Sequence, residues 1–170
     1  LQAIYDEGNY IKTNAENAVF DFTTSQPNNF RMSTARTGDF NLFIMSETIE
    51  DILKDLNDPR METFFRPTGN DASEYKGFLN GPDASQTSIT VADYSLSGTI
   101  FRESSGNLDA NYMTAWETAF FLAEAAETGL IWSDSKTLYE NGVVLAFEYW
   151  QTEMPADYLT TGKGAYKANG

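Results

Sequence analysis

The chain has 170 residues, the size of a single domain. Its 25 Asp and Glu against 11 Lys and Arg leave a formal net charge of −14, which argues against nucleic acid or an anionic membrane surface as a partner, because both are bound through clustered Lys and Arg. The absence of His and Cys excludes the Ser-His-Asp triad, the Cys-His dyad, His or Cys zinc sites and disulfides. We expect no cofactor and no metal; an ion bound by carboxylates and carbonyls would be calcium or magnesium.

The first part of the chain, residues 1–45, is predicted to be loop-rich because Asn and Gly recur through it. One short strand is expected at residues 18–22. The chain begins with Leu1 and shows no charged-then-apolar signal pattern, so we expect it to be a piece of a longer protein. The longest apolar runs, 119–123 and 143–147, are far shorter than the about 20 residues that cross a bilayer.

The first clear helix is predicted over residues 46–56. Its apolar residues recur at the spacing of one helical face: Ile49, Ile52, Leu53 and Leu56. Ser46 is the expected N-cap, and Pro59 prevents the helix from continuing. Residues 57–110 are predicted to be a long ordered loop with room for one short strand over 88–96. Such a loop in a compact domain is usually functional or contacts a partner.

Residues 114–153 are predicted to form a helical hairpin of tetratricopeptide-like shape. Thr114 and Glu117 have the spacing of a capping box at the start of the first helix. Gly129 supplies the left-handed residue that ends it. Small residues on the facing surfaces allow the two helices to approach closely: Ala119, Ala123, Gly142 and Ala146.

The second helix of the hairpin is predicted to begin near Asp134 and to run to about Glu153, because Pro155 follows. The five-residue link makes the two helices antiparallel neighbours. The tail, residues 155–170, contains three of the glycines and has no predicted element.

Acidic pairs on the first helix of the hairpin are the only features of the sequence that suggest catalysis. Glu117 and Glu124 are seven residues apart, about 10.5 Å along a helix axis, whereas glycosidase carboxylates lie about 5–9.5 Å apart. Glu124 and Glu127 are close enough to interact, but such a pair near a helix end is usually solvated. Residues 162–164 (GKG) lack the earlier glycine of a phosphate loop. We predict that the chain is not an enzyme.

Aromatic residues make up 14% of the chain, and many lie outside the predicted helices. Two explanations remain open. The rings can pin long loops onto the core, which is the favoured explanation for any single ring. They can also form a binding surface, because flat rings pack on the apolar faces of sugars while polar neighbours bond hydroxyl groups. Such a surface needs neither His nor Cys.

Four stretches in fixed order carry a resemblance to one family. They are LNDPR at 56–60 with FFRP at 64–67, YKGFLNG at 75–81, MTAWE at 113–117 continuing to FLAEAAETG at 121–129, and YENGV at 139–143. In order and spacing over residues 9–155, the chain resembles the SusD/RagB family of glycan-binding outer-membrane lipoproteins from Bacteroidetes-type bacteria. Each stretch alone is weak, whereas four in order are fairly specific.

The resemblance implies a mainly α, SusD-like fold, with a tetratricopeptide-like hairpin, long ordered loops and at most a few short strands. It implies that residues 1–170 are a single middle-to-late fragment of a larger SusD-like domain, which would contact the remainder of its parent chain. Family members lie on the cell surface, attached to the outer membrane by a lipid on an N-terminus absent here. They bind oligosaccharide or polysaccharide and serve a SusC-like TonB-dependent transporter in nutrient uptake.

The matched stretches are structural, so the resemblance transfers no binding residue. The candidates for glycan contact are therefore loop aromatics with polar neighbours: Asn29, Phe30, Arg31, Tyr75, Phe78 and Asn80. The first three lie in a Pro- and Asn-rich loop, and the last three flank Gly77, where the backbone can approach a ligand. Two alternatives remain: a tetratricopeptide-type helical module for protein–protein interaction and, least favoured, a carboxylate-based glycoside hydrolase.

Overall fold

A computed structural model describes residues 1–83, 89–103 and 108–168 of the chain. The chain divides into two compact units. The first unit comprises Leu1–Phe20 and the chain from Ala110 onward, and the second comprises Asp21–Asp109. In the described ranges, each helix is too short or too polar to span a bilayer.

The first unit is built on the predicted helical hairpin, with α5 at Ala115–Glu127 and α6 at Ser135–Tyr149. The capping box is present: the Glu117 amide donates to Thr114 Oγ1, and the Glu117 carboxylate accepts from the Thr114 amide at 3.0 Å. Gly129 has the predicted left-handed conformation, with φ of 73°. The mainly α fold class with its hairpin is thereby confirmed.

Close packing joins the two helices where Gly142 faces α5. A Cβ built on Gly142 would lie 2.7 Å from Cε1 of Phe120, so the missing side chain lets the ring settle against α6. At the start of α5 and the end of α6, the ring centroids of Trp116 and Tyr149 lie 4.6 Å apart. The buried cluster of the hairpin consists of Ala115, Ala119 and Leu145.

Helix α6 ends four residues before the predicted Glu153. Gln151 takes a left-handed φ of 51°, and the Thr152 amide donates to the Phe147 carbonyl at 3.1 Å. This bond closes the helix in the manner of a Schellman motif. The sequence suggested Pro155 as the stop, but a non-glycine residue with positive φ acts earlier.

The N-terminal segment of the first unit contains α1, Gln2–Glu7, and a 3-10 turn at Asn14–Glu16. The loop-rich prediction for residues 1–45 missed this short α1, which has no buried face. Asparagine side chains attach the segment to the hairpin: Asn14 Nδ2 donates to the Leu145 carbonyl at 2.9 Å, and the Ala115 amide donates to Asn17 Oδ1 at 2.7 Å.

A two-stranded sheet pairs β1, Ala18–Asp21, with β2, Asp109–Met113. The expected strand at 18–22 thus forms, and it ends one residue earlier. Its partner β2 was not predicted from the sequence. The DANYM segment contains no β-branched residue, and only its pairing with β1 shows its extended conformation.

The described residues of the second unit form three α-helices: α2 at Thr37–Phe40, α3 at Glu47–Asp55 and α4 at Arg60–Phe64. Helix α3 agrees with the predicted 46–56, and Ser46 accepts from the Ile49 amide as its N-cap. Helix α4 lies inside the stretch expected to be loop. It begins directly after Pro59, which serves as its N-cap and not only as the stop of the preceding helix.

Backbone hydrogen bonds order the loops of the second unit. The Met45 amide donates to the Ser95 carbonyl and the Ser95 amide to the Lys76 carbonyl, each at 2.8 Å. Ser95 itself is fully buried. The sequence allowed one short strand over residues 88–96. That strand is absent from the described residues 89–96, and Ser88 lies outside the described residues. A 3-10 turn at Val91–Asp93 occupies this stretch instead.

Candidate functional site

The candidate residues Asn29, Phe30 and Arg31 lie at the start of a 3-10 turn, Arg31–Thr34. Asn29 is half-buried, and its Nδ2 donates to the Phe30 carbonyl at 3.1 Å and to Ser33 Oγ at 2.9 Å. The Phe30 ring is also half-buried and packs edge-on against Phe22, with centroids 5.4 Å apart. Arg31 is exposed. This loop therefore presents one exposed cation beside a ring that already has an aromatic partner.

The candidate residues Tyr75, Phe78 and Asn80 lie along one loop of the second unit. The half-buried Phe78 ring packs edge-on against Tyr94 at 5.2 Å, and Lys76 Nζ lies 5.5 Å from the Tyr94 centroid. Burial, and then the nearby charge of Glu62, raises the pKa of Tyr75 above its ordinary value. Asn80 is exposed and donates to Thr48 Oγ1 at 3.1 Å.

Gly77 approaches a helix of its own chain rather than open space. A Cβ built on Gly77 would lie 2.5 Å from the Glu47 amide nitrogen, and the Gly77 amide donates to Glu50 Oε2 at 2.6 Å. The glycine is needed because the loop backbone packs on the first turn of α3. The YKGFLNG stretch therefore docks the loop carrying Tyr75 and Asn80 onto this helix.

The structure keeps the candidate residues in two separate sets. Within the described ranges, no hydrogen bond or ring contact joins the Asn29–Arg31 set to the Tyr75–Asn80 set. The aromatic side chains in both are half-buried, so each ring serves packing while retaining a partly accessible edge or face.

A cleft in the first unit was missed from the sequence. It has a volume of about 410 Å³ and is called the tyrosine cleft here. Its lining consists of Phe120, Ala123, Glu124, Glu127, Thr128, Tyr139, Tyr166 and Lys167. The sequence predicted a hairpin over residues 114–153 and no element in the tail, and it gave no indication that the two meet. The tail carries two aromatic residues, Tyr158 and Tyr166, and of these Tyr166 lines the cleft.

Hydrogen bonds hold the tail against the hairpin at the tyrosine cleft. Tyr166 hydroxyl donates to Glu127 Oε2, and it lies 2.6 Å from Ser135 Oγ. Tyr139 hydroxyl donates to the Gly164 carbonyl at 2.8 Å. The bond to Glu127 raises the pKa of Tyr166, and burial raises that of Tyr139. The solvated role expected for Glu127 is thus wrong, because its carboxylate binds the tail.

The other acidic feature, Glu117, is committed to the capping box. Its carboxylate accepts from both the amide and the hydroxyl of Thr114, the latter at 2.7 Å. Within residues 1–83, 89–103 and 108–168, acidic side chains nowhere gather in threes as ligands of an ion would.

The chain as a whole, residues 1–170, matches the model of a family described as starch-binding and associating with the outer membrane, SusD-like_2. The chain belongs to the SusD-like family. The resemblance seen in the sequence is confirmed. Among curated proteins, none is similar enough to count as a match.

Solved structures show the same fold as this SusD-like chain. A SusD homologue from Bacteroides vulgatus is 25% identical, with a TM-score of 0.76, over 95% of this chain and 32% of the other. A chitin-binding SusD homologue from Flavobacterium johnsoniae is 25% identical, with a TM-score of 0.73, and the match covers 95% of this chain and 32% of the homologue. A SusD homologue from Bacteroides fragilis is 18% identical, with a TM-score of 0.76, and the match covers 92% of this chain and 35% of the homologue. At this identity the similarity shows the fold alone. The chain spans about a third of the length of these structures.

Proposed function

We propose that this SusD-like chain belongs to a cell-surface protein that binds glycan and delivers oligosaccharide to a TonB-dependent transporter of the SusC type. The observation that carries the proposal is the family match over residues 1–170, with its description as starch-binding and associating with the outer membrane. The chitin-binding homologue from Flavobacterium johnsoniae supports a polysaccharide ligand. Attachment to the outer membrane through a lipid on the parent chain is part of the same proposal.

The second unit supplies candidate contacts for the glycan. We propose that Phe30 and Tyr75 offer partly exposed ring surfaces, while Arg31 and Asn80 offer exposed polar groups. Sugars combine an apolar ring face with hydroxyl edges, so this pairing of side chains suits them. An open surface buries little of a ligand, and we expect dissociation constants of about micromolar to millimolar.

Titration calorimetry of the full chain with maltohexaose and hexa-N-acetylchitohexaose tests the proposal. Phe30→Ala and Tyr75→Ala should each weaken binding, because each removes an aromatic face. Tyr112→Ala is the matched control, since Tyr112 is 76% exposed and belongs to neither set. Absence of binding to every neutral glycan tried would contradict the proposed function. Binding that survives both substitutions would place the contacts elsewhere.

A helical protein-interaction module is the second candidate. The hairpin leaves large apolar side chains exposed, namely Phe121 at 57%, Leu130 at 58% and Trp132 at 89%. Side chains of this kind are enriched at protein interfaces. Capture of a single protein partner by the hairpin, lost with Trp132→Ala and accompanied by no glycan affinity, would favour this alternative.

A further inference from the structure

We propose that the tyrosine cleft is a second saccharide site, selective for uncharged sugar rings over anionic ones. The inference rests on the proposed function, because it assumes that the protein binds glycan. It places this second site in the first unit, apart from the loop residues of the second unit. Its basis is the combination of size, ring arrangement and charge in the cleft.

The size of the cleft suits a small ligand. Its volume of about 410 Å³ falls within the range of about 300–1,000 Å³ that is usual for ligand pockets. The cleft is open to solvent, so an internal unit of a longer chain can enter with its neighbours extending into solvent. All of its lining residues belong to the first unit.

Three aromatic rings follow one another along the wall. Phe120 lies 5.7 Å from Tyr139, and Tyr139 lies 5.7 Å from Tyr166. Each ring is held in place: Phe120 by the space left at Gly142, and the two tyrosines by the hydroxyl contacts that tie the tail to the hairpin. All three rings are half-buried. Fixed rings lose little conformational entropy when a flat ligand face packs on them.

Polar groups at the rim can bond the hydroxyl groups of a sugar. Glu124 and Lys167 are exposed at the cleft, and no hydrogen bond or ion pair of either side chain is found among the described residues. A carboxylate accepts hydrogen bonds from hydroxyl groups and an ammonium donates to them. The Thr128 hydroxyl donates to the Glu124 carbonyl at 2.8 Å and keeps acceptor capacity.

Charge decides which class of sugar the cleft admits. Among the described residues that line the cleft, Glu124 and Glu127 are carboxylates and Lys167 is the single cation. The whole chain carries a net charge of −14. A uronate or sulfated sugar would meet a negative field from the chain and two carboxylates in the cleft, whereas a neutral ring pays no such cost.

The test measures binding of maltohexaose, hexa-N-acetylchitohexaose and hexagalacturonate to the full chain. We expect at least one neutral hexasaccharide to bind and hexagalacturonate to bind at least tenfold more weakly. Glu124→Gln should weaken binding of the neutral ligand about tenfold, the effect of losing one charge-assisted hydrogen bond. Tyr166→Ala should weaken it at least as much. The matched controls are Glu148→Gln and Phe121→Ala, exposed positions that do not line the cleft.

The outcomes separate this inference from the proposed function. Suppose that binding of the neutral hexasaccharide is lost in Phe30→Ala or Tyr75→Ala but unchanged in Glu124→Gln and Tyr166→Ala. That result would overturn the assignment of the cleft as a saccharide site and leave the proposed function standing. Equal affinity for hexagalacturonate would overturn the selectivity. Absence of binding by the unaltered chain would contradict both. Because Glu124 is exposed, Glu124→Gln should fold normally even if Tyr166→Ala does not.

Discussion

At the scale of single residues, the ion pair between Asp58 and Arg60 differs from the others in its burial. The Asp58 side chain is fully buried and that of Arg60 is 17% exposed, with the Arg60 Nε to Asp58 Oδ1 distance at 2.9 Å. Asp58 lies between α3 and α4, where the sequence suggested only a helix stop. The pair fixes the turn that separates these two helices.

We therefore expect Arg60→Ala to lower the free energy of unfolding by about 3–5 kcal/mol, because it leaves a buried carboxylate without its cation. Arg36→Ala is the matched control. The Arg36–Asp39 pair is 88% and 56% exposed, and its loss should cost less than about 1 kcal/mol. Urea denaturation of both variants gives the comparison. Equal destabilisation would show that burial of the pair is unimportant.

A second prediction at this scale concerns Gly77. Gly77→Ala should destabilise the second unit, because the added Cβ would overlap the backbone at the start of α3. The control is Gly38→Ala within α2, where a Cβ meets nothing within 4 Å. That change should stabilise by about 0.5–1 kcal/mol through helix propensity. Thermal unfolding of the two variants should shift in opposite directions; a neutral Gly77→Ala would contradict the close approach.

At the scale of secondary-structure elements, the hairpin has the best-defined core. Phe147 on α6 is 2% exposed and lies edge-on to Tyr158 at 5.0 Å, whereas Phe121 on α5 is 57% exposed. Phe147→Ala should cost about 3–5 kcal/mol, since it leaves a cavity. Phe121→Ala should cost less than about 1 kcal/mol.

Amide hydrogen exchange extends this comparison to whole elements. We expect α5 and α6 to exchange more slowly than residues 60–83, where the helix is short and loops predominate. Phe147→Ala should accelerate exchange throughout the hairpin. Faster exchange in the unaltered hairpin than in residues 60–83 would contradict its assignment as the most stable element.

The end of the two-stranded sheet carries two like charges. Burial, and then the charge of Asp21, raises the pKa of Asp109 above its ordinary value. A raised pKa in the folded state means that protonation favours folding. The stabilisation is complete below the ordinary pKa and is lost as the pH rises through the raised value.

Asp109→Asn, which mimics the protonated acid, should therefore stabilise the protein at pH 7 by up to about 1 kcal/mol, a small amount because solvent screens the pair. The difference should shrink as the pH falls through the Asp109 transition. Denaturation at pH 7 and pH 4 measures it. Asp51→Asn, an exposed carboxylate on α3, is the control, and a gain at pH 7 that persists unchanged at pH 4 would rule out this origin.

At the scale of the whole molecule, an apolar patch lies at one end of the first unit. Gln2 Oε1 accepts from the Trp132 amide at 2.6 Å, and Tyr5 hydroxyl lies 2.8 Å from Ser133 Oγ. These bonds bring α1 beside the link between α5 and α6. The exposed apolar residues there are Leu1, Ile4, Leu130 and Trp132.

A patch of this kind favours association. We expect the chain to bind a hydrophobic dye and to self-associate as its concentration rises, and Trp132→Ser to reduce both. Sedimentation velocity over a concentration series checks the prediction. Phe43→Ser, which alters an aromatic residue 49% exposed in the second unit, should leave the association unchanged. A monodisperse monomer without dye binding would contradict the prediction.

Local sequence rules were sufficient to predict the hairpin and α3. Capping side chains, a left-handed glycine and apolar spacing act within a few residues, so Thr114, Gly129 and Ser46 could be assigned from the sequence. The family could be recognised for the same reason, because its matched stretches encode caps and turns. The exclusion of His- and Cys-based chemistry followed from composition alone.

Only the tertiary structure decided features that depend on distant partners. The strand β2 forms because β1 pairs with it, and Gly77 is required because α3, about thirty residues earlier in the sequence, packs against it. The tyrosine cleft exists because Tyr166 reaches back to Glu127 across 39 residues. None of these contacts leaves a periodic trace in the sequence, since each depends on where the chain returns and not on the residues beside it.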